Sequence, residues 1–178
     1  MASEADHEAR WGYRLRVTSF SAQTHAEAVV LAPQADIWAA LVDPELMARF
    51  TPFLKRITPD GDHWRWELSG LNVLGLKVAP AFTERMVFQE PDRIEFHHDP
   101  PAGTTEQAGV EGWYSLRPLD DGEPGTELVT DLAITVDLPL PKASGRAVRA
   151  AMKKVIDRMG DTFSERLLEH LGAEERSA

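Results

Sequence analysis

The chain has 178 residues, 43% hydrophobic and 27% charged, with no cysteine and a formal net charge of -10. That size and balance suit one globular domain with a full core. The missing cysteines exclude disulfides, thiolate nucleophiles and Cys-ligated metals, and the acidic balance argues against nucleic acid or anionic lipid as a partner.

Residues 1–18 read as an N-terminal arm, 19–172 as a single domain and 173–178 as a flexible tail. The polar, acidic Met1–Arg10 does not read as a secretory signal. No apolar run approaches the ~18 residues of a spanning helix, so an integral membrane segment is not expected and the cytoplasm is the expected location. In the arm, Trp11, Tyr13, Leu15 and Val17 alternate with Gly12, Arg14 and Arg16. That pattern suits a short extra strand or a polar linker carrying aromatics. A first strand is predicted over Phe20–Leu31, with Ala22, Thr24, Ala26, Ala28 and Val30 on its inner face. Residues that small leave room above a sheet. Pro33 opens a short helix carrying Ile37, Trp38 and Leu41. Asp43-Pro44 ends it and caps a second, carrying Leu46, Met47 and Phe50.

After Pro52 the apolar period changes to two, and strands are predicted over Leu54–Thr58, His63–Leu68, Leu76–Gln89, Arg93–His98, Val110–Pro118 and Thr126–Leu138. The links alternate in character. Pro59–Asp62, Glu90–Asp92 and Asp120–Gly125 are polar turns, whereas Ser69–Gly75, Asp99–Gly109 and Pro139–Ala143 are long or apolar. In an antiparallel meander the second set shares one end of the sheet, where a mouth is expected. The last element, Ser144–Leu171, is a long amphipathic helix. Val148, Met152, Val155, Ile156, Met159, Phe163, Leu167 and Leu171 form its stripe, Ser144 is the predicted cap and Gly172 the stop. Two methionines and Gly160 in that stripe favour an adaptable surface.

The order strand, two short helices, six antiparallel strands and long helix resembles the helix-grip fold of the START and Bet v 1-like (SRPBCC) superfamily. The segment Ala32-Pro33-Gln34-Ala35-Asp36-Ile37-Trp38 through Asp43-Pro44-Glu45 resembles its polyketide cyclase/dehydrase and lipid-transport branch. So do the Phe88–Phe96 hairpin with its Pro91-Asp92-Arg93 turn and the Gly122–Thr126 approach to the last strand. The resemblance covers about Ser19–Leu171. It implies an α+β fold in which a seven-stranded antiparallel sheet and two short helices wrap a C-terminal helix. It leaves function open, since the branch mixes ligand carriers, cyclases and accessory proteins.

Turn lengths suggest pairings. If Phe88 faces Ile94, then Met86 faces Phe96 and Glu84 faces His98, with Tyr114 and Thr130 near the same row. A carboxylate and an imidazole side by side on an apolar face are the means of acid–base work, with Tyr114 a third candidate. A rim ion pair, or a bulge turning Glu84 outwards, is the plainer alternative. His97-His98-Asp99 does not read as a metal site, because neighbours on a strand point to opposite faces.

A ligand cavity would be walled by Trp64, Trp66, Phe82, Met86, Phe96, Leu132 and Ile134 on the sheet and by Met152, Ile156 and Met159 on the helix, with Glu84, His98, Tyr114 and Thr130 at the ligand's polar end. Core packing is the simpler role for at least one of the two tryptophans. Leu71 and Leu74 are placed at the entrance, between the hinge-like Gly70 and Gly75; an apolar loop there suits a lid, a homodimer contact or a shallow membrane touch. Three functions follow. The first is binding or transport of a hydrophobic small molecule such as a lipid, a polyketide-like aromatic or a quinone. The second is a cofactor-independent cyclase/dehydrase using Glu84 and His98. The third is an accessory protein that docks a partner through its outer surface.

Overall fold

The computed structural model describes residues 17–120 and 124–176. The alternating aromatics of the arm, Trp11–Arg16, and the tip of the Asp120–Gly125 turn lie outside the described residues. The elements are β1 (Thr18–Val30), α1 (Gln34–Leu41), α2 (Pro44–Phe50), β2 (Leu54–Asp60), β3 (His63–Leu68), β4 (Leu71–Val73), β5 (Leu76–Val78), β6 (Ala81–Gln89), β7 (Arg93–His98), β8 (Ala108–Pro118), β9 (Thr126–Leu138), a 3-10 turn (Lys142–Ser144) and α3 (Gly145–Leu171). Seven strands form one antiparallel sheet in the order β1-β9-β8-β7-β6-β3-β2. This is the α+β helix-grip arrangement, with α3 lying across the inner face.

Local chemistry sets the elements. Asp43 accepts hydrogen bonds at Oδ1 from Glu45 N (2.8 Å) and Leu46 N (3.1 Å), capping α2 behind Pro44. Gln34 Nε2 donates to Asp92 Oδ1 (2.9 Å) and Leu116 O (3.0 Å), which ties α1 to the β6–β7 turn and to β8. The fully buried Thr126 donates to Ala32 O at 2.9 Å, fixing the start of β9 under the approach to α1.

The structure departs from the expectations in three places. The predicted strand Leu76–Gln89 is two strands, because Pro80 has no N–H to donate to a ladder. Leu71–Val73 and Leu76–Val78 instead pair as a separate hairpin, so Ser69–Gly75 is not a loose loop. Its turn residues Leu74 (φ 51) and Gly75 (φ 86) are both left-handed, as a two-residue hairpin demands, and Asn72 Oδ1 accepts Gly75 N at 2.8 Å. Ser144 makes no side-chain cap at the head of α3; the backbone turns in through the 3-10 segment instead. The stop at Gly172 holds (φ 58, its N–H bonding back into the last turn), but Ala173–Arg176 is not a free tail. Leu31 N donates to Glu174 O and Arg176 N to Val29 O, both at 2.8 Å, clipping the chain onto the end of β1.

The helix α3 is anchored at both ends and not in the middle. Near its start, Val148 and Met152 are buried with Phe20, Val73 and Leu138. Near its end, Leu167 is buried with Ala40 and Phe50, and Phe163 and Leu171 pack against them. Each such side chain fully buried contributes about 1.5–3 kcal/mol. In the turns between, Ile156, Met159 and Gly160 stand over open space on the inner side of the sheet.

Candidate functional site

Under those middle turns lies a cavity of about 460 Å³. Its floor is built by alternation. Thr24, Ala26 and Ala28 of β1, Leu128, Thr130, Leu132 and Ile134 of β9, and Phe82, Glu84 and Met86 of β6 all point in. Its roof is Ile156, Met159, Gly160 and Phe163 of α3, and α1 and α2 close one side with Leu41 and Met47. Trp66 and Phe82 are cross-strand partners whose rings stack with 9° between planes and 6.1 Å between centroids, giving the wall a flat aromatic panel.

The wall runs out to exposed residues on two facing elements, Ala26 and Glu27 of β1 and Asp157, Gly160, Asp161 and Ser164 of α3. The cavity therefore opens between the β1 edge of the sheet and α3. Both lips carry a small residue, and a Cβ built on Gly160 meets nothing within 4 Å. Around this mouth His25 is bracketed by Glu27 Oε1 (2.9 Å) and Asp131 Oδ2 (3.3 Å), and those two carboxylates raise its pKa.

Inside, four polar groups share the wall. Thr130 and Tyr114 are direct cross-strand partners. Thr130 Oγ1 and Trp66 Nε1 are the two buried side-chain polar atoms without a hydrogen-bond partner among the described residues. Glu84 is 3% exposed. Burial, reinforced by the charge of Glu111, pushes its carboxyl well above the usual carboxylate range, and the nearby Trp66 N–H offsets only part of that rise. The indole lies near enough to act on the carboxyl yet lacks the geometry of a hydrogen bond. Burial and the neighbouring Glu84 likewise raise the Tyr114 hydroxyl, so both groups are shifted toward their protonated forms. Such a cluster offers O–H and N–H donors in an apolar space.

The expected pairing of Glu84 with His98 holds in the ladder and fails in the side chains. Glu84 does face His98, as Met86 faces Phe96 and Phe88 faces Ile94. But β7 and β8 stop pairing at Phe96–Gly112. Beyond that point the His98 ring lies on Gly109, where a Cβ would sit 2.5 Å from Nδ1. Its Nε2 meets Glu106 Oε2 at 3.0 Å. Glu106 also accepts from Thr83 N (2.7 Å) and Thr83 Oγ1 (2.9 Å), pinning the Asp99–Gln107 loop to β6. His98 is thus a structural staple outside the cavity wall.

Of the other candidates, Trp66, Phe82, Met86, Phe96, Tyr114, Thr130, Leu132, Ile134, Ile156 and Met159 line the cavity with Glu84. Trp64 does not; it is core, 5.9 Å from Phe88, which in turn packs on Trp38 of α1. Met152 is in the anchor at the head of α3. Leu71 and Leu74 lie away from the wall, with Val73 between them buried against α3 and Leu74 exposed. Alternation places Thr24 and Ala26 on the inner face of β1, as expected, and could have found Val110; nothing local marks Leu41 or Met47 as cavity residues. Among the described residues no cluster of three or more potential ligands could hold a metal ion, and no helix is long and apolar enough to cross a membrane.

No curated protein sequence matches the chain. Solved structures match the fold over most of its length. The Zhui aromatase/cyclase from Streptomyces sp. R1128 superposes with TM-score 0.63 at 16% identity, covering 85% of this chain and 94% of that one. A conserved protein from Geobacillus kaustophilus gives TM-score 0.63 at 13% identity, over 88% and 100%. A START superfamily protein from Mycobacterium smegmatis gives 0.58 at 19%, over 83% and 97%. At such identities these likenesses speak for the fold alone. The sequence pattern of one family matches residues 21–168, nearly the whole helix-grip unit. The chain therefore belongs to the family described as polyketide cyclase / dehydrase and lipid transport.

Proposed function

We propose that the protein binds a hydrophobic small molecule in the cavity under α3, with the molecule's polar end against Trp66, Glu84, Tyr114 and Thr130. The observation that carries this reading is the pair of unpartnered buried donors, Trp66 Nε1 and Thr130 Oγ1, on a largely apolar wall. A buried polar group without a partner costs about 1–3 kcal/mol, and a ligand oxygen would recover part of that. Apolar contact supplies the rest of the affinity, at roughly 25 cal/mol per Å² before the costs of association. Titration with the apolar dye N-phenyl-1-naphthylamine tests it. Saturable binding is expected in the wild type and strong loss in Gly160→Phe, which blocks the mouth from a position with open space around it. Equal binding by both proteins would refute this cavity as the site.

A second reading, catalysis of the cyclase/dehydrase type without a cofactor, is favoured by one feature. Glu84 is a buried carboxyl whose environment favours the protonated form, the form a general acid needs. In that reading Glu84 and Tyr114 move protons while the walls fold the chain, and His98 takes no part. Turnover of a β-keto chain that survived Glu84→Gln would remove it.

A further inference from the structure

We propose that the cavity selects by charge: it takes an uncharged apolar molecule bearing a hydrogen-bond-accepting oxygen, and refuses carboxylates and phosphates of the same size. This rests on the binding reading above and narrows it to a class of ligand.

The first observation is the wall. Among the described residues that line the cavity there is no lysine and no arginine. An anion entering it would leave water with no cation inside to meet it, since the one basic lining residue, His25, is held at the rim by two carboxylates; that costs far more than moving a neutral carbonyl. The groups waiting inside are donors: the indole N–H of Trp66 and the hydroxyls of Thr130 and Tyr114. Glu84 joins them while it holds its proton, and repels an anion whenever it does not. A ketone or quinone oxygen satisfies such a set in either case.

The second observation is the mouth. Glu27 on β1, Asp157 and Asp161 on α3, and Glu175 beyond the helix all border the opening. No lysine or arginine is among the described residues lining the opening, and several of those nearby are engaged elsewhere. Lys153 reaches both oxygens of Asp157 (2.9 and 3.0 Å). Arg158 lies over the Phe53 ring. Arg166 donates to Arg49 O at 2.7 Å, and Arg176 has a partner of its own. His25, the one basic residue of the rim, sits between Glu27 and Asp131. An anionic head group therefore meets negative charge at the lips before it meets the apolar interior.

The test uses a matched pair of probes, 2-acetylnaphthalene and 2-naphthoate, which differ in a methyl ketone against a carboxylate on the same flat ring system. N-phenyl-1-naphthylamine displacement from the full chain at neutral pH and low salt reads both. The ketone is expected to bind about tenfold tighter or more, given the penalty for an unpaired buried charge. Thr130→Val should weaken the ketone by about fivefold, the value of a buried hydrogen bond. Glu27→Gln with Asp161→Asn should narrow the gap between the probes by about threefold. If the dye binds and the naphthoate matches or exceeds the ketone, charge selection is wrong while the cavity stands. Charge selection is equally wrong if the dye binds and neither probe displaces it. If the dye itself fails to bind, the binding reading falls and this inference falls with it.

Discussion

Replacing Glu84 by Gln isolates the buried carboxyl of the cavity. Glutamine has the shape of a protonated glutamate and cannot ionise. In the folded protein Glu84 is 3% exposed, and burial holds its carboxyl well above the ordinary value near 4.5. The native state then keeps a proton that the unfolded chain releases. Stability from this source is fully present below the unfolded pKa and falls as pH rises, at about 1.4 kcal/mol per pH unit for one proton, until the folded pKa is passed. The variant lacks that slope. Urea denaturation of both proteins at unit steps from acid to mildly alkaline pH reads the difference, and other groups cancel in the subtraction except Glu111, whose charge is the second cause of the shift. The expected result is near-equality in acid and a growing advantage for Glu84→Gln above it. A difference that stayed flat across the range would mean that Glu84 is ionised and solvated, and would refute its place among the donors.

Other expectations follow from packing and hydrogen bonds. Gly112→Ala would drive a Cβ into Asp131 O and to 2.8 Å from the Phe96 ring, and should lower stability by about 3 kcal/mol or more, read as a shift in the urea midpoint. Glu106→Ala strands the donors of Thr83 and should cost about 2–3 kcal/mol, with faster amide exchange at Thr83 as its local sign. By NMR titration His25 should protonate above the pH of a free histidine, chiefly through its hydrogen bond to Glu27, and Glu27→Gln should bring it down. The stability this pair adds is present below the unfolded histidine pKa and lost as pH rises through the folded one, and is small because the site is exposed.

Much of the fold was legible because it rests on period and punctuation. The Pro91-Asp92 turn alone determined that Glu84 faces His98 across the hairpin. What was not legible depended on residues distant in the chain. Glu106 arrives from the following loop to claim His98, and no hairpin count includes it. Trp64 and Trp66 share a strand face, but α1 and Phe88 cover one and leave the other on the cavity. Met152 and Met159 share a helix stripe and sit about 10 Å apart along it, one over the β4–β5 hairpin and one over the gap. The hairpin itself was hidden because Leu74-Gly75 is an unusual pair for its turn, where Asn-Gly is the common signal. The mouth does leave a mark in the sequence, in the small residues Ala26 and Gly160, but only the fold shows that their two elements face each other.

The central claim is that the space under α3 is a ligand site and not a packing defect. Native mass spectrometry of freshly purified protein, followed by solvent extraction and mass analysis of what is released, tests it most directly. An uncharged apolar molecule is expected at up to one per chain, absent from Gly160→Phe prepared in parallel. Protein that is empty in every preparation, and that also takes up no added apolar dye, would contradict it.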